Sequence, residues 1–133
     1  MRFRAFNILL ALIICANSLC ASEKDFQNLD SDIRDFIVVK GGREIIILKT
    51  KSIEIWDMMN DSLIKSCIED DQVTYRCFDI GVNENHAVVG TKEGYIILWG
   101  LEAEKKEWTI HVEGLITDVK IAPDNSSAVA SGS

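Results

Sequence analysis

From Ile33 to the carboxyl end, short runs rich in Ile, Val, Tyr and Trp alternate with clusters of Gly, Asn, Asp and Lys. Branched and aromatic side chains fit a pleated, half-buried surface and the polar clusters interrupt it, so this texture predicts strands joined by turns. A single Pro and the lack of a long helical period leave that reading undisturbed. Ahead of it, Ser22 to Asp35 is polar and acidic, with Phe26, Leu29, Ile33 and Phe36 at three- and four-residue spacing. One or two turns of amphipathic helix fit that spacing, and so does a lead-in linker.

The amino end has a third pattern. Met-Arg-Phe-Arg precedes the apolar stretch Ile8 to Ala16, which runs into Asn17-Ser18-Leu19-Cys20-Ala21. A basic start, a short apolar core and small residues near a cut are the order of a secretory signal, here residues 1–21, with cleavage after Ser18, Cys20 or Ala21. As a helix the apolar stretch reaches only ~14 Å, about half the hydrocarbon thickness of a bilayer, so no stable membrane span is expected. The predicted location is the secretory lumen or the exterior; a misassigned start would instead make the chain cytoplasmic.

The strand-like region repeats itself. Ile37 to Asp57 lies over Ile80 to Gly100 without a gap at an offset of 43, with Ile37/Ile80, Val39/Val82, Lys49/Lys92, Ile53/Ile96 and Trp56/Trp99 identical. Ile45/Val88, Ile46/Val89 and Ile55/Leu98 agree in character. A third copy begins near Leu115, where Ile121, Ala128 and Val129 repeat Ile80, Ala87 and Val88 at an offset of 41. Periods in this range belong to four-stranded propeller blades, which run ~40–45 residues.

These residues resemble the WD-repeat β-propeller family. Ile53-Glu54-Ile55-Trp56-Asp57 is similar to the family's signature ending, and Gly94-Tyr95-Ile96-Ile97-Leu98-Trp99-Gly100 is the same element with its Asp replaced. Glu113-Gly114, then Ile116 to Asn125 with Pro123-Asp124 at the turn, then Ala128 to Ser133, resemble two inner strands and their hairpin. The resemblance implies an all-β fold, a partial propeller of four-stranded antiparallel blades that stays open and incomplete. After a lead-in at 22–32, the repeat region 33–133 divides into blades at 33–68 and 73–112 and a half blade at 115–133. In each blade, alternate residues such as Ile53/Ile55 and Ile96/Leu98 face one neighbour, and Trp56 and Trp99 supply large apolar surfaces. The resemblance also implies structural roles for Trp56, Asp57, Gly94, Trp99, Pro123 and Asp124. Leu115 stands where the family commonly has His, and Lys92-Glu93 replace an acidic pair in a turn. The family's buried hydrogen-bond set around Trp is therefore incomplete, and the blades are expected to be held more by apolar packing than by that network.

Composition narrows the function. The formal charge is −7, and loss of Arg2 and Arg4 with the leader makes it −9, the wrong sign for binding nucleic acid. Of four cysteines, Cys67 and Cys77 lie beyond the leader; ten apart and without a nearby His, they read as buried thiols and not as a zinc or redox pair. His86 and His111 are the only usual bases for a nucleophile, and no Gly-x-Ser-x-Gly elbow or phosphate-cradling loop accompanies them. No catalytic, cofactor or metal residue is assigned. Asp30-Ser31-Asp32 and Glu69-Asp70-Asp71 lack the spaced ligands of a calcium loop and read as solvated segments.

What remains is a protein-binding scaffold. Glu69, Asp70, Asp71 and Glu113 fall in connections between blades, where partners of this family usually dock, and their charge would favour a basic protein. Asn60-Asp61-Ser62 and Asn125-Ser126-Ser127 are glycosylation sequons in turn-like stretches. The runner-up is a fragment of a propeller enzyme of the quinoprotein dehydrogenase or hydrolase-associated kind. A closed propeller takes 4–8 blades. With two and a half, the 133 residues are expected to be a truncated product or an incompletely read gene, with open blade edges prone to self-association.

Overall fold

The computed structural model describes residues 32–133 and the backbone of a two-residue strand, β1 (Arg2–Phe3). The remainder of the expected leader and nearly all of the lead-in, Phe26, Leu29 and Asp30 included, lie outside the described residues.

Ten further strands follow in chain order: β2 (Ile33–Val39), β3 (Glu44–Lys49), β4 (Ser52–Asp57), β5 (Ser62–Ile68), β6 (Tyr75–Ile80), β7 (His86–Thr91), β8 (Tyr95–Gly100), β9 (Lys105–His111), β10 (Ile116–Ile121) and β11 (Ala128–Gly132). They form three antiparallel sheets: β2 to β5 with β1 at the edge, β6 to β9, and the β10–β11 hairpin. The only helical turn among the described residues is a 3-10 turn at Lys40–Gly42.

Burial follows the alternation of side chains across a strand. In β3, Ile45 and Ile47 point to one face of the first sheet and Ile46 and Leu48 to the other, and all four are buried. A strand covered on both faces reads as a continuous apolar run, which is why Ile45-Ile46-Ile47-Leu48 shows no polar alternation. The main core lies between the first two sheets: Ile46, Leu48, Ile53, Ile55 and Cys67 meet Tyr75, Phe78, Val89, Ile97 and Trp99. A smaller core joins the second sheet to the hairpin through Cys77, Val88, Ile116 and Val119. Here Gly90 is required, because a Cβ on it would come within 2.3 Å of the Ile116 side chain and 2.8 Å of the Cys77 sulfur.

Irregularities recur as faithfully as the strands. The first strand of each sheet is bulged near its start, at Ile33/Asp35, Tyr75/Cys77 and Ile116/Asp118, and the third–fourth pairing slips at Ile55/Trp56 and Leu98/Trp99. Left-handed residues also recur, Asp61 and Glu104 closing the turns before β5 and β9. A bulge twists the strand locally and re-aims its side chains, so a shared bulge keeps equivalent residues on equivalent faces.

One detail corrects the gapless repeat. The turn between β3 and β4 spans four residues from Leu48 to its partner Ile53, and the turn between β7 and β8 spans five from Gly90 to Ile96. The offset is therefore 43 in the third strands but 42 in the first two, so Phe36 matches Phe78 and Ile46 matches Val88. Ile46 packs forward onto the second sheet and Val89, its gapless counterpart, packs backward onto the first. Ile37/Ile80 are likewise on opposite faces, because a one-residue slip exchanges the faces of a strand.

Candidate functional site

Antiparallel strand order places the sheet-to-sheet connections and the β3–β4 and β7–β8 turns at one end of the molecule. Glu69 to Thr74, Glu113-Gly114, Thr50-Lys51 and Lys92 to Gly94 gather there. The other end carries Lys40 to Arg43, Met58 to Asp61, Gly81 to Asn85, Leu101 to Glu104 and Ala122 to Ser127.

At the first end the run Glu69-Asp70-Asp71 divides. Asp70 and Asp71 are exposed, as is Glu113, but Glu69 is only 5% exposed. Glu69 is thus no part of an exposed rim, a correction with a clear cause: its carboxylate is the centre of a buried hydrogen-bond chain. Trp99 Nε1 donates to Tyr75 Oη at 2.8 Å, Tyr75 Oη donates to Glu69 Oε2 at 2.7 Å, and Lys106 Nζ donates to Glu69 Oε1. The Glu69 carboxylate also accepts the Asp71 backbone N–H at 2.9 Å. Beside the apolar core of this junction, then, a polar chain of a different make-up from the family's set crosses between the first two sheets.

Each member is placed by its strand. Tyr75 opens β6 beside its bulge, Trp99 is the last residue but one of β8, and Lys106 is the cross-strand neighbour of Trp99 on β9. The Lys106 ammonium lies 5.9 Å from the Trp99 ring centroid and also meets Asp71 at 2.8 Å and Asp70 at 3.3 Å. The carboxylates of Glu69, Asp70 and Asp71 lie close enough together to hold a metal ion, and an internal cation already fills their meeting point. Burial alone would lower the Lys106 pKa, but the bonds from Asp71 and Glu69 outweigh it and hold the ammonium well above the ordinary lysine range. Burial, then the bond to Glu69, pushes the Tyr75 phenol far up.

The chain was not legible as a unit, because its members lie far apart in sequence. A register would have found Lys106, since a Lys directly opposite a signature Trp is an outer-strand cation aimed along the indole. The equivalent indole in the first sheet uses a local partner. Trp56 Nε1 donates to Glu54 Oε2 at 2.8 Å, and Glu54 pairs with Lys49 at 3.1 Å.

The remaining signature residues shape turns. Asp57 accepts the backbone N–H of Met59 at 2.8 Å and of Asn60 at 3.1 Å and the Asn60 amide at 2.9 Å, bonds that lower its pKa, the side-chain bond most. Gly94 has φ +91°, and a Cβ there would come within 2.3 Å of the Val112 carbonyl oxygen. After Pro123, Asp124 accepts the backbone N–H and hydroxyl of Ser126, which lower its pKa. The Asn125 side-chain Oδ1 accepts the Val82 N–H at 3.1 Å and ties this turn to the second sheet.

The two histidines stand apart. His86 opens β7 opposite Gly100 and meets Glu107 at 3.1 Å, while His111 ends β9 opposite Tyr95 and meets the Glu93 carbonyl at 3.2 Å. They lie at opposite ends of one sheet, so they do not converge on a common point. Cys67 and Cys77 are free thiols, both buried. Among the described residues, no helix is long and apolar enough to cross a membrane.

The sequence matches no protein-family model and no curated protein. Among solved structures, the Myceliophteria thermophila Cps50 (Swd1) β-propeller domain is similar to it, with a TM-score of 0.67 and 11% identity. The likeness covers 76% of this chain and 32% of that one, so the chain spans about a third of the length of its structural neighbour. At that identity the likeness speaks of architecture alone, and the fold is that of a β-propeller: all-β, in open antiparallel four-stranded sheets.

Proposed function

We propose that this chain is a non-catalytic protein-interaction scaffold built of WD-like blades, working in the secretory lumen or outside the cell as part of a larger propeller. The observation that carries it is the division of labour between the two ends. Asp70, Asp71 and Glu113 are exposed at one end, while both sequons, Asn60 and Asn125, lie in exposed turns at the other. Glycans at the second end would leave the first free, and its acidic loops would steer a basic protein partner toward it. Lys106 tempers that charge without cancelling it, since Asp70 and Asp71 keep most of their surface in water.

The test is affinity capture from a secretory host with the wild-type chain and with a variant carrying Asp70→Asn, Asp71→Asn and Glu113→Gln. Wild type is expected to retain a partner whose binding weakens with salt, and the variant to lose it at an unchanged fold. Identical capture by the two proteins would overturn the acidic-end reading. A mass decrease on glycosidase treatment, absent when Asn60 and Asn125 are both Gln, is the expected sign of export; a cytosolic chain of unmodified mass would overturn that part.

A further inference from the structure

The bulge in the first strand of each sheet sets one residue apart. Ile33 and Asp35 oppose the consecutive residues Lys49 and Leu48, as Tyr75 and Cys77 oppose Thr91 and Gly90, and Ile116 and Asp118 oppose Gly132 and Ser131. The residues passed over are Arg34, Arg76 and Thr117. A bulge leaves its additional residue out of the ladder and re-aims the side chain, and all three are exposed between neighbours that are buried or half-buried. Thr117 turns its hydroxyl back to the Ser131 carbonyl at 3.1 Å, within its own hairpin. Among the described residues, neither the Arg34 nor the Arg76 guanidinium takes part in a hydrogen bond or ion pair.

The two arginines stand at the same height on adjacent strands, separated by the offset of 42 that relates the first strands of the two sheets. The sheets meet chiefly through these strands, with β6 against β2 on one side and β10 on the other. Arg76 stays exposed although its sheet is flanked on both sides, so the bulge itself brings it to the surface.

Both strands start at the end where the acidic connection lies, and that end is zoned by charge. The connection leaves β5, the fourth strand of the first sheet, and Lys106 on β9, the fourth strand of the second, holds Asp70 and Asp71 at its beginning. It then runs inward to Thr74, whose N–H donates to Glu93 at 2.7 Å, and delivers Arg76 on the first strand. Carboxylates thus lie by the fourth strands and open guanidiniums on the first, three inter-strand steps or about 14 Å away. In a chain of formal charge −7, two adjacent guanidiniums left without a carboxylate form an arrangement that a ligand's carboxylate completes, and their planar forks suit it.

We propose that Arg34 and Arg76 together form a carboxylate-binding site on the inner part of this end, which takes an acidic side chain of the same protein partner whose basic residues meet Asp70 and Asp71. This deepens the scaffold reading, on which it rests. It specifies a partner segment with basic and acidic residues about 14 Å apart, about four residues of extended chain.

The probes are two labelled peptides titrated against the full chain, Lys-Lys-Ser-Gly-Ser-Glu-Glu and the same peptide with both Glu replaced by Gln. Net charge alone favours the Gln peptide, because the protein is acidic; the Glu peptide is nevertheless expected to bind at least fivefold more tightly at low salt. Arg34→Gln with Arg76→Gln makes the protein more acidic still, yet is expected to abolish that preference at an unchanged unfolding midpoint and to leave the Gln peptide bound as well as before. Arg34→Lys with Arg76→Lys keeps the charge and is expected to retain only part of the preference, since an ammonium lacks the fork. No advantage for the Glu peptide, or an advantage that survives both Gln substitutions, would overturn the proposal. So would a lowered unfolding midpoint in the double Gln variant, which would assign the guanidiniums to contacts inside the chain. If the Gln peptide is lost on neutralising Asp70, Asp71 and Glu113 while the Glu peptide shows no advantage, the acidic-end reading stands and this site falls. Binding of neither peptide would also remove the site, and the scaffold reading would then rest on partner capture alone.

Discussion

Trp99 is both a packing element and a hydrogen-bond donor, and the two roles have separable costs. Trp99→Ala removes a large buried side chain from the main core and is expected to cost about 3–5 kcal/mol in denaturant unfolding. His86→Ala, at a half-exposed strand end, is expected to cost below about 0.5 kcal/mol. Tyr75→Phe preserves the packing but leaves the Trp99 N–H unmet and strips one donor from the buried Glu69 carboxylate, for about 1–3 kcal/mol. If packing alone held the junction, that variant would unfold like wild type. The same residues set the response to base. Burial, with the Glu104 charge adding to it, pushes the Cys67 thiol up to about 11, and Tyr75 and Lys106 move in the same direction. A pKa raised by folding contributes stability that is intact below the unfolded value and lost as pH climbs toward the folded one. The unfolding midpoint is therefore expected to fall from about pH 9 upward, and Cys67→Ala to delay the onset to about pH 10, where phenols ordinarily ionise.

Strands were the most legible elements, because Ile, Val and Trp in short runs between polar turns admit little else. Their faces were less so. Ile37/Ile80 and Ile46/Val89 match well as letters, but one additional residue between Gly90 and Ile96 sends the matched side chains to opposite sides. A repeat in sequence does not disclose where an insertion sits; hydrogen-bonded register does. Gly90 illustrates how closely elements meet. Gly90→Ala would force Ile116 and Cys77 apart and is expected to destabilise by about 1–3 kcal/mol, with the β10–β11 amides losing exchange protection first. Uniform loss across all three sheets would show that the hairpin is not the element displaced.

At the scale of the molecule, the sheets are unequally secured. The core between the first two is large and includes a polar chain, whereas the hairpin rests on a smaller core and a few bonds such as Ile121 N–H to Asp79 at 2.9 Å. Amide exchange is expected to be slowest in β3 and β7 and fastest in β11, since local opening follows the apolar area each element buries. Slowest exchange in β11 would contradict that ranking. The exposed apolar residues of the outer strands, Ile64 and Ile68 on β5 and Trp108 and Ile110 on β9, make association at high concentration a further expectation, read by sedimentation.

The sequence by itself determined the strand-and-turn grammar, the period and the blade architecture, because those depend on local propensity and on spacing along one chain. Tertiary structure alone decided that Glu69 turns inward to Tyr75 while Asp70 and Asp71 stay in water, and that Lys106 closes the chain. Those outcomes depend on which strand lies opposite which, and on bulges that re-aim side chains by one position. Neither is written in any single segment.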